Sequence, residues 1–311
     1  MSYSLEYINE RVHSDAVGFV GESEADYGEK ITRGAEMILA NRGRSPIVLL
    51  SGPSGSGKTT TAKRLCDELE LRGIKAHNVS LDNYFITPHR ADAPLTEAGA
   101  VDFESPQMID WTLLDEHFSE LEGGAEILIP HFSFSMQRRV AARAKPLVLG
   151  RDEIAIFEGI HALNDRITDR HGGAFRLYIS ARSDFERDGA VYMKRTWTRL
   201  IRRTIRDSNF RGASAEVTLA MWANVRRGEK KYISPFKDTA DLQFDTTLAY
   251  ELCAMRGKAI EVLSHLPETA ERYGEVRDIV ARLPDFEEVD CETVPRSSII
   301  REFLGDSCYL Y

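Results

Sequence analysis

The chain has 311 residues, of which 42% are hydrophobic and 29% charged, and its formal net charge is -9. This composition is typical of a folded protein with a sizeable core, and it excludes a disordered or fibrous chain. The acidic balance argues against general nucleic-acid binding. Neither a signal peptide nor an apolar run long enough to span a bilayer is present, and the four cysteines form no zinc-binding pattern. We therefore expect a cytoplasmic protein without a membrane partner, and a homo-oligomer is left open.

Changes of pattern along the chain divide it into three regions. Residues 1–45 are polar and predict a helical extension, with apolar residues at helical spacing from Ala25 to Ala40. Residues 46–265 form the main domain. Residues 266–311 form an acidic extension that we expect to pack on this domain, with a closing helix over Ser297–Phe303.

The main domain alternates short β-branched runs with amphipathic helices. This alternation predicts an α/β fold with a parallel sheet covered by helices on both faces. The predicted strands are Ile47–Leu50, Lys75–Leu81, Ile154–Phe157, Phe175–Ile179 and, more weakly, Leu242–Thr246. Ile127–Phe134 and Pro146–Leu149 predict a small inserted strand pair, because no helix separates them.

A complete phosphate-binding loop, Gly52–Thr59, follows the first of these strands and leads into the predicted helix Thr59–Arg72. Its glycines let backbone N–H groups surround a polyphosphate, as in P-loop NTPases. Lys58 is expected to bridge the β and γ phosphates of ATP, and the Thr59 hydroxyl to hold Mg²⁺. The predicted nucleotide-binding residues in the loop are Gly52, Ser54, Gly55, Ser56, Gly57, Lys58, Thr59 and Thr60. No Asn-Lys-x-Asp is present to read guanine, which argues against a GTPase.

Two carboxylates follow predicted strands at the edge of the sheet where ligands bind. Asp82 comes after the second strand and is our candidate for the base that takes a proton from a hydroxyl acceptor. Glu158 comes after Ile154–Phe157 and is placed to hold Mg²⁺ together with Thr59. A turn-forming role for Asp82 and a helix-capping role for Glu158 are the alternatives.

The segment from Lys194 to Lys231 is strongly basic, with 11 Lys and Arg against three Asp and Glu. Four arginines are spaced at i, i+3, i+4 and i+7, so on a helix they share one face: Arg199, Arg202, Arg203 and Arg206. A fifth, Arg211, follows after a short break. This pattern predicts an Arg-rich helical lid over the transferring phosphoryl group. Arg202, Arg206 and Arg211 are assigned with Lys58 and Asp82 to catalysis, Arg203 to nucleotide binding and Arg199 to the substrate.

Several motifs together resemble the uridine kinase and phosphoribulokinase family of P-loop kinases. They are Gly52–Thr60, Ser80–Phe85, Asp102–Pro106, Ile129–Phe134, Phe157–Ile160 and Thr198–Asp207. Arg211–Trp222, Val225–Lys230, Ser234–Phe236 and Ser298–Phe303 further resemble a bacterial uridine kinase-like subgroup. In that subgroup the kinase part is often fused behind a threonyl-tRNA-synthetase-like part; here a lead-in of about 45 residues precedes the kinase motifs.

The resemblance implies roles on the acceptor side of the site. Glu104 would contact ribose hydroxyls, and Tyr84 lies in the motif that carries the base. Uridine kinases have Tyr-Asp-Phe followed by a His that reads the pyrimidine; here Phe132 would stack on the base and Gln137 would bond its edge. This departure weakens the specific reading of a pyrimidine.

The leading hypothesis is therefore an ATP- and Mg²⁺-dependent kinase for a small-molecule hydroxyl, with a ribonucleoside such as uridine as the acceptor. A kinase for another polyol, sugar or sugar phosphate keeps the same fold and chemistry. A regulatory module that binds nucleotide without turnover is the third reading, although a pure binder needs no acceptor base.

Overall fold

The structure is a computed structural model that describes residues 2–88 and 93–310. Its strands are β1 (Ser2–Ser4), β2 (Ile47–Ser51), β3 (Lys75–Ser80), β4 (Ile127–Ile129), β5 (Phe132–Ser133), β6 (Arg138–Arg139), β7 (Lys145–Leu147), β8 (Glu153–Glu158), β9 (Phe175–Ser180), β10 (Asp184–Arg187), β11 (Ala190–Met193) and β12 (Leu242–Asp245). Its α-helices are α1 (Leu5–Asn41), α2 (Lys58–Glu70), α3 (Trp111–Glu122), α4 (Asp165–Thr168), α5 (Arg195–Phe210), α6 (Ala215–Gly228), α7 (Glu251–Leu263), α8 (Tyr273–Arg282) and α9 (Arg301–Leu304).

A five-stranded parallel sheet lies at the centre, in the order β12-β9-β2-β8-β3. All five predicted strands belong to this sheet. The weakest of them, predicted over Leu242–Thr246, corresponds to β12. Because the strands are parallel, their carboxyl ends meet at one edge. The loop after β2 therefore lies in the middle of that edge, with the ends of β8 and then β3 beside it.

Hydrophobic side chains cover both faces of the sheet. In β2, Val48 and Leu50 belong to one buried cluster, and Ile47 and Leu49 belong to the other. Alternate residues of β2 thus face opposite helical layers, and all five of its residues are buried. Burial on both faces is typical of a parallel strand between two layers of helices. The α/β fold predicted from the sequence is confirmed.

Helix α1 is much longer than the predicted helix over Ala25–Ala40. It begins at Leu5, with Ser4 as its N-cap, and it contains a non-helical residue at Asp15. Ile8 and Phe19 lie in the same buried cluster as the sheet residues. The prediction was wrong in extent because the break at Asp15 interrupts the helical spacing of the apolar residues.

Smaller ribbons surround the main sheet. The inserted pair is present as two antiparallel ribbons, β4 with β7 and β5 with β6. Strand β1 pairs in parallel with β10, which pairs with β11. These three strands have only three or four residues each, too few to give a sequence pattern.

The C-terminal segment is buried along most of Ser298–Phe303. Only α9 is helical in the region where a helix over Ser297–Phe303 was expected. The remainder is a run of turns that packs against the phosphate loop and α5. Among the described residues, no helix is both long and apolar enough to cross a membrane.

The phenol of Tyr27 joins α1 to the helix of the phosphate loop, and we predict that Tyr27→Phe destabilises the fold. Its hydroxyl lies 2.7 Å from Thr61 Oγ1, which in turn donates to the Gly57 carbonyl at 2.8 Å. We expect a loss of about 1 kcal/mol in the free energy of unfolding, because a fully buried hydrogen bond is removed. Urea denaturation measures it. Tyr7→Phe, on an exposed part of the same helix, is the control and should cost less; equal losses would contradict the prediction.

Candidate active site

The phosphate loop connects β2 directly to α2, and glycine is required at three of its positions. A Cβ on Gly52 would lie 2.2 Å from the carbonyl oxygen of Ile179. Gly55 and Gly57 have φ angles of 75° and 80°, in the left-handed region that favours glycine. The loop therefore approaches its surroundings too closely for side chains, and it leaves the N-terminus of α2 facing a cavity.

That cavity has a volume of ≈ 760 Å³ and extends from the phosphate loop to the ribbon β5–β6. The loop residues that line it are Ser54, Gly55, Gly57, Lys58 and Thr59. Gly52, Ser56 and Thr60 are buried behind this lining. The Ser56 hydroxyl is fully buried and has no hydrogen-bond partner in the described part of the chain.

Lys58 lies near carboxylates from three other elements. Burial lowers the pKa of its ammonium group, whereas Glu158, Asp82 and Glu302 oppose that shift. The position at the first residue of α2, next to the glycines, is where a lysine can reach the phosphates of a nucleotide. The structure brings Lys58, Asp82 and Glu158 to one cavity, as the sequence analysis anticipated.

Asp82 lies in a 3-10 turn, Leu81–Tyr84, directly after β3. The turn is capped by Ser80, whose hydroxyl accepts a hydrogen bond from the Asp82 N–H at 3.3 Å. Burial raises the pKa of the Asp82 carboxyl, and Lys58, Arg211 and Arg206 oppose the rise. Because Ser80 supplies the cap, the Asp82 carboxylate remains available to the cavity that it lines.

Glu158 ends β8, the strand between the phosphate loop and Asp82. Thr59 Oγ1 donates to Glu158 Oε1 at 3.2 Å. A hydroxyl and a carboxylate are hard oxygen ligands of the kind that Mg²⁺ prefers, with phosphate oxygens and water completing its shell. Within residues 2–88 and 93–310, no group of three or more His, Cys, Asp and Glu is arranged to hold a metal alone. The pair therefore fits a metal that arrives with a nucleotide.

Three arginines of the predicted lid converge on one buried carboxylate, Asp207. Arg206 donates to Asp207 Oδ1 from Nε at 3.1 Å and from Nη2 at 2.9 Å. The Nε atoms of Arg203 and Arg211 lie 3.3 Å and 3.7 Å from its oxygens. Arg203 also donates to Ser54 Oγ at 2.7 Å. All three arginines line the cavity, and Asp207 is a positioning residue that the sequence analysis did not identify.

Arg199 and Arg202 do not line the cavity, which differs from the roles predicted for them. Arg202 is completely buried, pairs with Glu251 at 2.6 Å and donates to the Gly55 carbonyl at 3.2 Å. Arg199 makes two 2.9 Å bonds to Glu229 and donates to the Ser54 carbonyl at 3.0 Å. The helix is packed on both sides, so carboxylates from neighbouring elements engage these two arginines. They support the loop from behind.

The far end of the cavity combines a carboxylate with aromatic side chains. Burial raises the pKa of Glu104 to about 7. Phe85, Phe103 and Phe134 line the wall, and Phe134 is 46% exposed. Arg227 also lies here, but its Nη2 donates to Asp102 Oδ2 at 2.6 Å. The lining thus combines aromatic surface with carboxylates, since Glu97 and Glu271 also line the cavity.

Three predicted substrate-binding residues are placed elsewhere. Tyr84 is fully buried, and its hydroxyl bonds His117 Nδ1 at 2.9 Å. Phe132 packs behind Phe134, with ring centroids 5.1 Å apart. Gln137 occupies the turn between β5 and β6 with a φ of 50°, and it is not among the residues that line the cavity. Residues i and i+2 of a strand share one face, so spacing alone could not distinguish the two phenylalanines; Phe134 differs because it lies beyond the end of β5.

Other lining residues were missed by the sequence analysis. Met221 and Asn224 on α6 face the cavity, and Glu302 reaches it from the C-terminal segment. Met221 is 44% exposed. The amphipathic pattern of α6 signals only that one face is buried, and it does not reveal a second, partly covered face.

A phosphate loop after a central parallel strand, carboxylates at the same sheet edge and an arginine helix beside them define a P-loop phosphotransferase. The chain belongs to the Phosphoribulokinase / Uridine kinase family, whose model matches residues 47–251. It is accordingly a phosphotransferase that acts on a hydroxyl group.

Individual relatives are distant. A uridine kinase from Deinococcus deserti is 27% identical over 197 residues, which cover 63% of this chain and 85% of the relative. The uridine-cytidine kinase B of Dictyostelium discoideum is 27% identical over 197 residues, covering 63% and 72%. Among solved structures, a kinase named for a fructose transport system from Silicibacter sp. TM1040 has a TM-score of 0.50 at 18% identity, covering 68% of this chain and 98% of that chain. The last similarity supports the fold only.

Burial of Glu158 predicts a pH-dependent stability. Burial raises its pKa from 4.5 to about 7. The folded protein thus holds this proton more tightly than the unfolded chain, so the stability it contributes is full below pH 4.5 and is lost as the pH rises through 7. Glu158→Gln mimics the protonated form. Without nucleotide and metal, we expect the variant to be more stable than the wild type at pH 8.5, by up to about 3 kcal/mol, and by less at pH 5.5.

Chemical denaturation at the two pH values measures this difference. Asp152→Asn, one residue before the same strand, is the control, because its side chain is 62% exposed and pairs with Arg42, which stays charged at both pH values. Its effect should not change between pH 5.5 and 8.5. A constant difference between Glu158→Gln and the wild type would contradict the prediction.

Proposed function

We propose that this protein uses ATP and Mg²⁺ to phosphorylate the 5′-hydroxyl of a ribonucleoside such as uridine. The observation that carries the proposal is the polarity of the cavity. Lys58, Thr59 and the arginines bound to Asp207 form one part of the lining, and the clustered rings of Phe85, Phe103 and Phe134 form another. Asp82 and Glu104 both lie within electrostatic reach of Lys58. A triphosphate and a flat, uncharged acceptor with hydroxyls match these two parts.

At the nucleotide end, the loop N–H groups and Lys58 would hold the phosphates, and Thr59 and Glu158 would hold Mg²⁺, which offsets phosphate charge. Arg203, Arg206 and Arg211 supply further positive charge around the transferring group. Stabilising this charge in a site shielded from water is the main means by which such enzymes accelerate phosphoryl transfer.

At the acceptor end, Asp82 is positioned to take the proton of the attacking hydroxyl. Its carboxyl keeps a raised pKa because it is buried, which makes it a stronger base than an exposed aspartate. Glu104 would orient the ribose hydroxyls, and the phenyl rings of Phe103 and Phe134 would contact the base. The assignment to the bacterial uridine kinase-like subgroup remains a prediction of the sequence analysis.

A kinase for another polyol or a sugar phosphate is the second candidate. An acceptor phosphate would need an uncommitted cation at this end, but Arg227 is bonded to Asp102 and Asn224. That pairing favours an uncharged acceptor. A regulatory module without turnover is less well supported, because pure nucleotide binding would not need Asp82.

The test is ATP consumption against a panel of nucleosides and polyols, with product masses, for the wild type and Asp82→Asn. We expect wild-type turnover with a nucleoside and a loss of kcat of about 100-fold or more in the variant, since general-base catalysis is removed. ATP affinity, measured by calorimetry, should be retained. Asp26→Asn, at an exposed site on α1, is the control. No turnover of any acceptor by the wild type would favour the binding module.

Phe134→Ala is expected to weaken binding of the acceptor. Removing the exposed ring at the cavity wall should raise KM for the nucleoside by about tenfold, since a base–aromatic contact is worth ~1–3 kcal/mol. KM for ATP should not change. Met136→Ala, on the same ribbon but outside the cavity lining, is the matched control. An unchanged nucleoside KM in Phe134→Ala would favour a small polyol as the acceptor.

A further inference from the structure

Glu302 brings a carboxylate to the nucleotide end of the site from outside the family-matched region. The family model ends at residue 251, and Glu302 lies 51 residues further along the chain. It nevertheless lines the same cavity as Lys58 and Thr59. Glu302 is only 8% exposed, so its carboxylate is directed into the protein and not into bulk solvent.

The segment that carries Glu302 is packed directly on the phosphate loop. A Cβ added to Gly57 would lie 2.1 Å from Ile299 Cδ1, so Ile299 fills the space that a side chain there would need. Arg301 holds the segment in place by donating from Nη2 to the carbonyls of Cys291 and Val294, at 2.7 Å and 2.8 Å. Glu302 is thus held at a fixed distance from the loop.

The carboxylate of Glu302 contacts the first turn of α2 and one arginine of the site. Oε2 accepts a 2.8 Å hydrogen bond from Thr60 Oγ1, in the first turn of α2. Oε1 lies 4.0 Å from Arg206 Nη1. Arg206 therefore lies between Asp207, which binds one edge of its guanidinium, and Glu302, which faces another.

Electrostatic coupling extends further into the site. Burial and Asp82 raise the pKa of Glu158, and Glu302 adds to that rise. Glu302 also opposes the burial effect on the pKa of Lys58. One side chain is therefore within electrostatic reach of both the lysine and the metal-binding carboxylate predicted for this site.

We propose that Glu302 is a positioning residue for the nucleotide end of the site, which anchors the first turn of α2 through the Thr60 hydroxyl and orients the Arg206 guanidinium for phosphoryl transfer. The proposal rests on the proposed function. The C-terminal segment is then part of the catalytic unit, and the family-matched region alone has an incomplete site.

The two contacts of Glu302 differ chemically, so a conservative variant can separate them. In Glu302→Gln an amide oxygen can still accept the hydrogen bond of Thr60, whereas the charge that attracts Arg206 is lost. We expect KM for ATP within about twofold of the wild type and kcat lowered about 10- to 100-fold, because a displaced catalytic group is costly. In Glu302→Ala both contacts are lost, and KM for ATP should also rise roughly fivefold.

Asp306→Asn is the matched control. Asp306 is an acid on the same segment, its side chain is 89% exposed, and its φ of 56° is tolerated by Asn. We expect wild-type kinetics from this variant. Urea denaturation shows whether each variant is folded in the absence of denaturant. Kinetic constants are compared only between variants that are folded under those conditions.

Two results would overturn the proposal. A folded Glu302→Gln with wild-type kcat would show that its charge is not needed, and tighter ATP binding by Glu302→Ala would show that the carboxylate competes with phosphates. ATP affinity is also measured by calorimetry without an acceptor. If the wild type phosphorylates no acceptor, the proposed function fails, but weaker ATP binding by Glu302→Ala relative to Glu302→Gln and Asp306→Asn would still support the anchoring of α2 through Thr60.

Discussion

The buried carboxylate of Asp207 holds the guanidinium groups of three arginines close together beside the phosphate loop. Without it, Arg203 and Arg206, which are largely buried, would repel one another with little water to screen them, and the exposed Arg211 would lose its carboxylate partner. Asp207 makes it possible to preassemble this positive charge before any phosphate arrives. The arginines then need little reorganisation during the reaction, which is the physical basis of electrostatic catalysis in a shielded site.

A second layer of ion pairs supports the loop itself. Arg202 with Glu251 and Arg199 with Glu229 are buried pairs whose remaining donors bind the carbonyls of Gly55 and Ser54. Buried pairs contribute little net stability compared with apolar packing, whereas removal of one partner leaves an uncompensated charge. Their value here is geometric, because they fix the carbonyl groups of the phosphate loop in place.

Features that depend on local sequence pattern were predicted correctly. The orientation of side chains that depends on tertiary neighbours was not. The strands, the glycine loop and the strand-end positions of Asp82 and Glu158 follow from hydrophobic runs and spacing. The arginine stripe was identified as one face, but only the positions of Glu251 and Glu229 determine that Arg202 and Arg199 turn away from the cavity. Likewise, no local pattern indicates that Glu302 approaches Thr60 across 242 residues.

The two ends of the cavity impose different physical demands on the residues that line it. The nucleotide end collects charges and must compensate them in the absence of ligand, which Asp207 and Glu302 do by facing Arg206 from two sides. The acceptor end instead commits its charged group Arg227 to Asp102, which leaves phenyl rings and Glu104 to face the substrate. Water is the competing acceptor in any such site, and apolar walls next to Asp82 disfavour it. The aromatic wall can therefore contribute to selectivity between a hydroxyl and water as well as to affinity for the acceptor.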